Sequence, residues 1–351
     1  MLLLERHFLR HALYQFFGRE SLYDPLCAYV YLTYRCNLSC VYCDDGTGVK
    51  YPEKQIDREL TTDEWGEVFR ILRRETDTVI LTGGEPTCRC DLAEILRRIR
   101  RLRYRRVCLL TNALLLDENP DVLASVDMLV VSLDTLDSAK GDRMLGSSGA
   151  HRRVRENVEL ASDLRRRRHF KLYLSCCIGP DTVDDAGEVL DFAVRQGIGF
   201  TPVPVIRGFY PAGELVGNPK YEALIHRTIE LKRRGGDVLG TMLYLRAIQR
   251  FDKFRCQPTL LARVRPNGDV LYPCNMLNTS GGNLLALGDY RLAIDEGYRR
   301  HGSIPLCDNR CHLGCYLDFS LLVQRPWALF YEAYLGLRKN LAFGGHPPRR
   351  S

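Results

Sequence analysis

Lysine is scarce in this sequence, and the net charge of +7 over 351 residues comes mainly from arginine. The arginines fall in short runs such as 97–101 and 165–168. Runs of this kind are typical of a solvated helix face, so they do not predict nucleic-acid binding. Internal repeats and low-complexity tracts are also lacking, and 45% of the residues are apolar. The chain can therefore form a full core, which excludes disorder as its main character.

The sequence predicts neither a signal peptide nor a membrane-spanning segment. Residues 1–17 are apolar, but Glu5, Arg6 and Arg10 interrupt them and no small-residue cleavage site follows. We therefore expect a cytoplasmic, reducing environment, in which disulfide bonds are rare. The fourteen cysteines then indicate metal or redox chemistry.

Apolar segments alternate with amphipathic helical segments between residues 28 and 239. Such alternation predicts a parallel sheet with right-handed crossovers. Six strand–helix units are too few for a complete eight-fold barrel. The sequence therefore predicts an α/β fold, a partial (β/α)6 TIM-like barrel over residues 28–239. The six candidate strands lie at 28–33, 78–81, 106–110, 128–133, 170–177 and 200–205.

The composition changes after residue 239, where cysteine, glycine, asparagine and proline become frequent, and residues 240–320 are predicted to form a small Cys-rich C-terminal domain. An N-terminal amphipathic helix is predicted within residues 1–27. An aromatic helix followed by a tail is predicted for residues 321–351. Arginines border both helices, a composition that suits peripheral membrane contact and a lipid substrate. The alternative is that both helices pack against the barrel.

Three cysteines follow the first predicted strand with the spacing C-x3-C-x2-C, namely Cys36, Cys40 and Cys43. Thiolate is the usual ligand of cubane iron–sulfur clusters, and three thiolates leave one iron free to bind a substrate or cofactor. In parallel barrels the chemistry occurs in loops at the C-terminal ends of strands, and this loop is one of them. Zinc is the alternative, although zinc usually takes C-x2-C pairs.

This segment resembles the signature of the radical S-adenosylmethionine (SAM) superfamily, in which an aromatic residue precedes the third cysteine as Tyr42 does. Two further segments at strand ends extend the resemblance, residues 82–86 (Thr-Gly-Gly-Glu-Pro) and residues 131–134 (Val-Ser-Leu-Asp). The resemblance covers roughly residues 28–235. It implies a 4Fe–4S cluster on the three cysteines. It also implies a SAM site formed by Tyr42, Gly83, Gly84, Glu85, Thr111, Asn112 and Ser132.

A second cysteine set comprises Cys256, Cys274, Cys307, Cys311 and Cys315. Residues 264–274 predict a β-hairpin with a tight Asn267-Gly268 turn, which brings two of these cysteines together. The set resembles the SPASM and twitch extensions of radical SAM enzymes, but it has five cysteines where the common pattern has seven, and five residues rather than four separate Gly268 from Cys274. The resemblance implies one auxiliary 4Fe–4S cluster and leaves open which of Cys307, Cys311 and Cys315 bind it. Zinc and free thiols are the alternatives.

The remaining paired cysteines carry a simpler interpretation. Cys88 and Cys90 follow the glycine loop and are interpreted as small residues at the start of the next helix, with a thiol near the active site as the alternative. Cys176 and Cys177 lie on a predicted strand, where core packing is expected.

The resemblance implies an enzyme, an oxidoreductase or transferase, that reductively cleaves SAM to a 5′-deoxyadenosyl radical, which abstracts hydrogen from the substrate. A flavodoxin- or ferredoxin-type reductant is expected. The substrate stays open among natural products, lipids and sugars, with ribosomal peptide maturation as the alternative, and no catalytic base is assigned. Two hypotheses from other classes are a non-enzymatic Fe–S electron carrier or sensor and a zinc-stabilised binding protein. A carrier needs a fully ligated cluster, which three cysteines do not supply.

Overall fold

The structure is a computed structural model that describes residues 7–17, 22–43, 48–304 and 311–342. Its strands are β1 (Cys27–Thr33), β2 (Thr78–Gly83), β3 (Arg106–Thr111), β4 (Met128–Ser132), β5 (Lys171–Ile178), β6 (Gly199–Pro204), β7 (Ile206–Arg207), β8 (Tyr210–Pro211), β9 (Leu261–Val264), β10 (Asp269–Leu271) and β11 (Ser280–Asn283). Its helices are α1 (Phe8–Phe16), α2 (Thr62–Glu75), α3 (Leu92–Arg101), α4 (Ser138–Leu145), α5 (Ala150–Arg168), α6 (Val183–Arg195), α7 (Pro219–Arg233), α8 (Met242–Arg250), α9 (Leu284–Leu287), α10 (Tyr290–His301), α11 (Gly314–Gln324) and α12 (Ala328–Ala342).

The first six strands form the predicted parallel sheet. They lie side by side in chain order from β1 to β6, and each neighbouring pair is parallel. The partial (β/α)6 barrel is thereby confirmed. Between β3 and β4 the connection contains a 3-10 helix, Pro120–Ser125, and two helices, α4 and α5, connect β4 to β5.

The two faces of β1 meet different surroundings because side chains alternate along a strand. Ala28 and Val30 are buried in the main hydrophobic core together with Trp65 of α2. Tyr31 belongs to a separate cluster, against which Tyr29 packs. The outward face of the strand therefore packs against the helices, and the inward face carries the tyrosines.

The Cys-rich region extends the barrel sheet. The predicted hairpin is present as β9 and β10, and Gly268 has a φ of +88° at its turn. Strand β9 pairs in parallel with β1, so the sheet order becomes β11-β10-β9-β1 through to β6. The region also contains α8 and α10, which the turn-rich composition concealed. The domain boundaries at residues 27, 239 and 320 stay predictions.

The terminal helices differ in detail from the sequence expectation. The single aromatic helix predicted within residues 321–351 is replaced by α11 and α12, with a break around Pro326, whose ring removes a backbone donor. Helix α1 is held by His7 and His11, whose buried rings bond the backbone oxygens of Glu75 and Asp24. No helix in the described ranges is long and apolar enough to cross a bilayer.

Candidate functional site

The loop after β1 carries the first cysteine set at the C-terminal edge of the barrel sheet. Cys36, Cys40 and Cys43 are each partly buried. The loop is tied to the end of α4, because Ser39 N donates to Leu145 O at 3.2 Å and Val41 N donates to Met144 O at 3.0 Å. The sequence prediction that these thiols lie at a strand end is therefore met by the geometry of the loop.

The donor set of this loop fits an iron–sulfur cluster. Burial raises the pKa of Cys40 to about 12 and that of Cys36 to about 11. The charge of Cys43 raises the pKa of both thiols, and the charge of Cys36 also raises that of Cys40. The thiols are thus close enough to interact, and metal binding would favour their thiolate forms. A cubane takes each thiolate on a different iron, which suits three sulfurs spread along one loop. Among the described residues, no three His, Cys, Asp or Glu side chains are grouped closely enough to hold a single metal ion.

The Gly-Gly-Glu loop after β2 packs directly on the cysteine loop. Gly84 N donates to Thr33 O at 2.9 Å. Gly83 has a φ of +139°, and a Cβ there would lie 2.1 Å from Thr33 O. A Cβ on Gly84 would lie 2.3 Å from Arg35 O. The absence of a side chain at both glycines therefore allows the backbones of the two loops to pack together. Contact between these glycines and SAM stays a prediction.

Glu85 joins the loops after β2 and β3. Its side chain is 1% exposed. One carboxylate oxygen accepts from Thr87 N at 2.9 Å and from the Thr87 and Thr111 hydroxyls at 2.7 Å, and the other accepts from Asn112 N at 2.6 Å. Burial raises the pKa of Glu85, although these bonds oppose the shift. A carboxylate has about four acceptor sites, so Glu85 is occupied in positioning its neighbours.

Asn112 connects this network to the first cysteine. Its side-chain amide donates to Asn37 Oδ1 at 2.8 Å and lies 3.9 Å from Cys36 Sγ. Cys88 also lies nearby, because its charge would raise the pKa of Cys36. This position favours the alternative interpretation of Cys88, a thiol near the active site. In the sequence, only its closeness to the glycine loop indicated this.

A cavity beside the cysteine loop is lined by Tyr42, Ser132, Asp134 and His151. The Tyr42 hydroxyl donates to Asp134, and Cys177 N donates to the same carboxylate at 2.6 Å. Burial raises the pKa of Asp134 to about 6, although both bonds lower it. Two predicted SAM-site residues, Tyr42 and Ser132, thus share one cavity with Asp134, whose pKa lies closer to neutral than that of an ordinary aspartate.

The second cysteine set forms a separate site. Cys256, Cys274, Cys311 and Cys315 belong to one apolar cluster. Burial raises the pKa of Cys311 to about 12, and the thiols of Cys274 and Cys315 contribute to the shift. Cys307 lies outside the described residues. Three segments that are distant in the chain therefore contribute four thiols to one apolar cluster.

Cys27 joins the same apolar cluster and was not anticipated. It lies at the start of β1, opposite Leu261 of β9. Nothing in the local pattern marks it, because its position depends on the pairing of two strands that are over 200 residues apart. Cys176, by contrast, is fully buried in the main core as expected, whereas Cys177 contacts Asp134.

Arg263 provides a test of whether the second site suits an anionic cluster. This residue is 3% exposed, and its Nη2 donates to Cys315 Sγ at 2.7 Å. Its Nε has no hydrogen-bond partner among the described residues. A buried cation is expensive unless negative charge lies nearby. Thiolates of a cluster would supply that charge, so the donor set fits the group.

Residues 30–193 match the family model described as the Radical SAM superfamily. The chain carries a radical SAM domain. The matched segment includes the three-cysteine loop, the Gly-Gly-Glu loop and the 131–134 segment. Radical SAM domains bind a 4Fe–4S cluster and SAM, so both cofactors are expected here, whereas a SPASM or twitch assignment for the C-terminal region stays a prediction.

Similar proteins place the radical SAM domain in context. A GTP 3',8-cyclase of Lactiplantibacillus plantarum is 37% identical over 179 residues, which are 48% of this chain and 51% of that protein. The chain spans about half the length of the GTP 3',8-cyclases that it matches.

Solved structures resemble a larger part of the chain. SuiB of Streptococcus suis bound to S-adenosylmethionine has a TM-score of 0.60 at 18% identity and covers 82% of this chain and 71% of its own. The protein anSMEcpe with bound AdoMet has a TM-score of 0.58 at 15% identity and covers 90% of this chain and 99% of its own. These likenesses show that the fold is shared.

Proposed function

We propose that this chain is a radical SAM enzyme whose 4Fe–4S cluster is held by Cys36, Cys40 and Cys43. The observation that carries the proposal is the loop after β1, which bears three partly buried thiols and whose backbone packs against the Gly-Gly-Glu loop. When bound, the cluster and SAM would supply one-electron cleavage that gives a 5′-deoxyadenosyl radical able to abstract hydrogen from a substrate.

The protein's own residues position and enclose this chemistry. Glu85 holds Thr111 and the backbone of Asn112 at the strand ends, where contact with SAM was predicted. Tyr42 and Ser132 line the adjoining cavity. The apolar wall of the barrel would exclude water from the reacting groups.

We further propose that Cys256, Cys274, Cys311 and Cys315 hold an auxiliary 4Fe–4S cluster. Four thiols in one apolar cluster and the adjacent Arg263 guanidinium support this assignment. Cys307 lies outside the described residues and stays a candidate fifth ligand. Cys27 packs in the same apolar cluster as the four thiols.

The substrate class is open between two candidates. The GTP 3',8-cyclases favour a nucleotide, but their similarity covers only about half of the chain. SuiB resembles 82% of the chain, including its C-terminal part, and one of its structures is bound to the precursor peptide SuiA. We propose a peptide as the first class to test and GTP as the comparison. The natural-product, lipid and sugar classes have no support among these relatives.

The function is tested by anaerobic reconstitution with iron and sulfide, reduction, and measurement of 5′-deoxyadenosine from SAM. The wild type should form it, and Cys36→Ala, Cys40→Ala and Cys43→Ala should each abolish it. The control is Cys90→Ala, because Cys90 is exposed and outside the loop. Unchanged 5′-deoxyadenosine from the triple variant would contradict the proposal. Parallel reactions with GTP and with a peptide library then show which substrate is consumed.

Peripheral contact with an anionic membrane stays a prediction, now supported by two exposed apolar stripes. On α1, Leu9, Leu13 and Phe16 recur at helical spacing, and Phe16 is 83% exposed. Trp327, directly before α12, and Phe330, Tyr334 and Leu337 on α12 form a second exposed row at helical spacing. Within residues 325–351 of the sequence, five Lys and Arg residues stand against one acidic residue, which would favour anionic lipid.

Vesicle flotation tests this contact. The wild type should float with phosphatidylglycerol vesicles more than with phosphatidylcholine vesicles, and Phe16→Ser combined with Phe330→Ser should remain at the bottom. The matched control is Val194→Ser, since Val194 is an exposed apolar residue on α6. Equal sedimentation of wild type with and without vesicles would refute the contact.

A further inference from the structure

Arg263 lies between the second cysteine site and the inward face of β1. It is on β9, directly opposite Tyr29 of β1 in the parallel pairing. Its Nη1 donates to the Tyr31 hydroxyl, and its Nη2 donates to Cys315 Sγ at 2.7 Å. The guanidinium carbon lies 4.4 Å from the ring centroids of both Tyr29 and Tyr316. The side chain is therefore fixed by a fork of hydrogen bonds and by two aromatic faces.

This guanidinium is buried, and the groups around it are thiol and tyrosine side chains. Within the described part of the chain, the groups that act on it electrostatically are the thiol of Cys315 and three tyrosines, and no carboxylate is among them. The attraction of aromatic faces for a cation is weaker than the desolvation cost of a buried ion. A cluster bound to Cys315 would place negative charge where this cation points.

We propose that Arg263 is a positioning residue that raises the reduction potential of the auxiliary cluster by donating to the sulfur of Cys315. The inference rests on the proposed auxiliary cluster. Positive charge and hydrogen bonds at a cluster sulfur stabilise the reduced state, because that state carries one additional electron. Burial strengthens the effect, since little water screens it. The tyrosine rings on both sides keep the guanidinium from turning away.

The test is an anaerobic redox titration of the reconstituted protein, followed by electron paramagnetic resonance, with iron analysis of each variant. Arg263→Met should lower the midpoint potential of the auxiliary cluster and change its resonance line shape, while the SAM-binding cluster is unaffected. Arg263→Lys keeps a charge but loses the fork, so its potential should fall between those of the wild type and Arg263→Met. The control is Arg265→Met on the same hairpin, since Arg265 bonds Asn278 instead.

The outcomes separate this inference from the function on which it rests. Wild-type protein with about eight irons per chain and two resonance signals supports the auxiliary cluster. If the Arg263 variants then keep both signals at the wild-type potential, the role of Arg263 is refuted. If Arg263→Met is insoluble, Arg263→Lys decides in the same way. About four irons and a single signal in the wild type would overturn the auxiliary cluster itself, and with it this inference, while leaving SAM cleavage intact.

Discussion

Glu85 links two chain segments through one buried carboxylate. It bonds its own loop through Thr87 and the loop after β3 through Thr111 and Asn112. The Gly-Gly-Glu motif is recognisable in the sequence, yet the sequence suggests a ligand contact for the glutamate and the structure shows four protein donors. Single side chains at this site therefore act by fixing loops as well as by facing the cofactor.

Glu85→Gln is predicted to destabilise the protein by about 1–3 kcal/mol. An amide nitrogen would replace one acceptor oxygen and leave a buried donor, such as Asn112 N, unpaired. Urea unfolding of the cluster-free protein measures the change. Glu159→Gln, at an exposed position of α5, should alter stability by less than about 0.5 kcal/mol. Equal stability of the two variants would show that the network around Glu85 contributes nothing.

Helix α2 is an element whose start was predictable from local sequence. Thr61 caps the helix by accepting from Glu64 N, and Glu64 accepts from Thr61 N at 2.9 Å. The four-residue pattern contains both partners, so the capping box needs no distant contact. Its buried face, with Trp65 and Phe69, then packs on the barrel sheet.

Thr61→Ala should cost about 1 kcal/mol of unfolding free energy, because the orphan N–H groups of the first turn lose an acceptor. Denaturant unfolding gives the measurement. Ser148→Ala serves as the comparison, since Ser148 is exposed in a loop before α5, and it should leave the midpoint unchanged. An equally small effect of both substitutions would argue against the cap.

Helix α11 is held to the start of α8 by a buried carboxyl group. Asp318 accepts from Thr241 N at 3.1 Å and from its hydroxyl. Burial raises the pKa of Asp318 from 3.8 to about 6. This contact joins residues 77 positions apart, so no local pattern predicts it.

Asp318 makes stability depend on pH. Near pH 5 the folded protein retains a proton that the unfolded chain has lost, so the stability that this proton provides disappears as pH rises through about 6. Between pH 5 and 7.5, wild type should lose about 1.4 kcal/mol relative to Asp318→Asn. Urea titrations of both cluster-free proteins at several pH values measure the difference. A constant difference, or one that grows in favour of the wild type, would contradict the assignment.

The complete sheet places the two cysteine sites at opposite ends of β1. Cys27 at the start of the strand belongs to the second cluster, and Cys36 follows its end. Seven residues of extended chain span about 20 Å. The barrel thus separates two candidate redox sites, and β9 connects the second one to the strand that leads into the first.

Removal of iron should loosen the C-terminal site and spare the barrel. The four thiols come from segments near residues 256, 274 and 311–315, which a bound cluster would crosslink. Hydrogen exchange measured after chelation should rise in these segments and stay slow in β2 to β5. The Cys36→Ala, Cys40→Ala and Cys43→Ala triple variant should keep slow exchange there, because its second site is intact. Uniform acceleration across the sheet would refute the expectation.

Periodicity and short motifs were sufficient to predict the six parallel strands, the C-x3-C-x2-C loop at a strand end and the hairpin turn at Gly268. These features are encoded within a few residues of one another. The pairing of β9 with β1, the inclusion of Cys27, the bonds from Thr111 and Asn112 to Glu85 and the contact between Arg263 and Cys315 required the folded chain. Such contacts join residues tens to hundreds of positions apart, and packing of distant surfaces leaves no periodic trace in either segment alone.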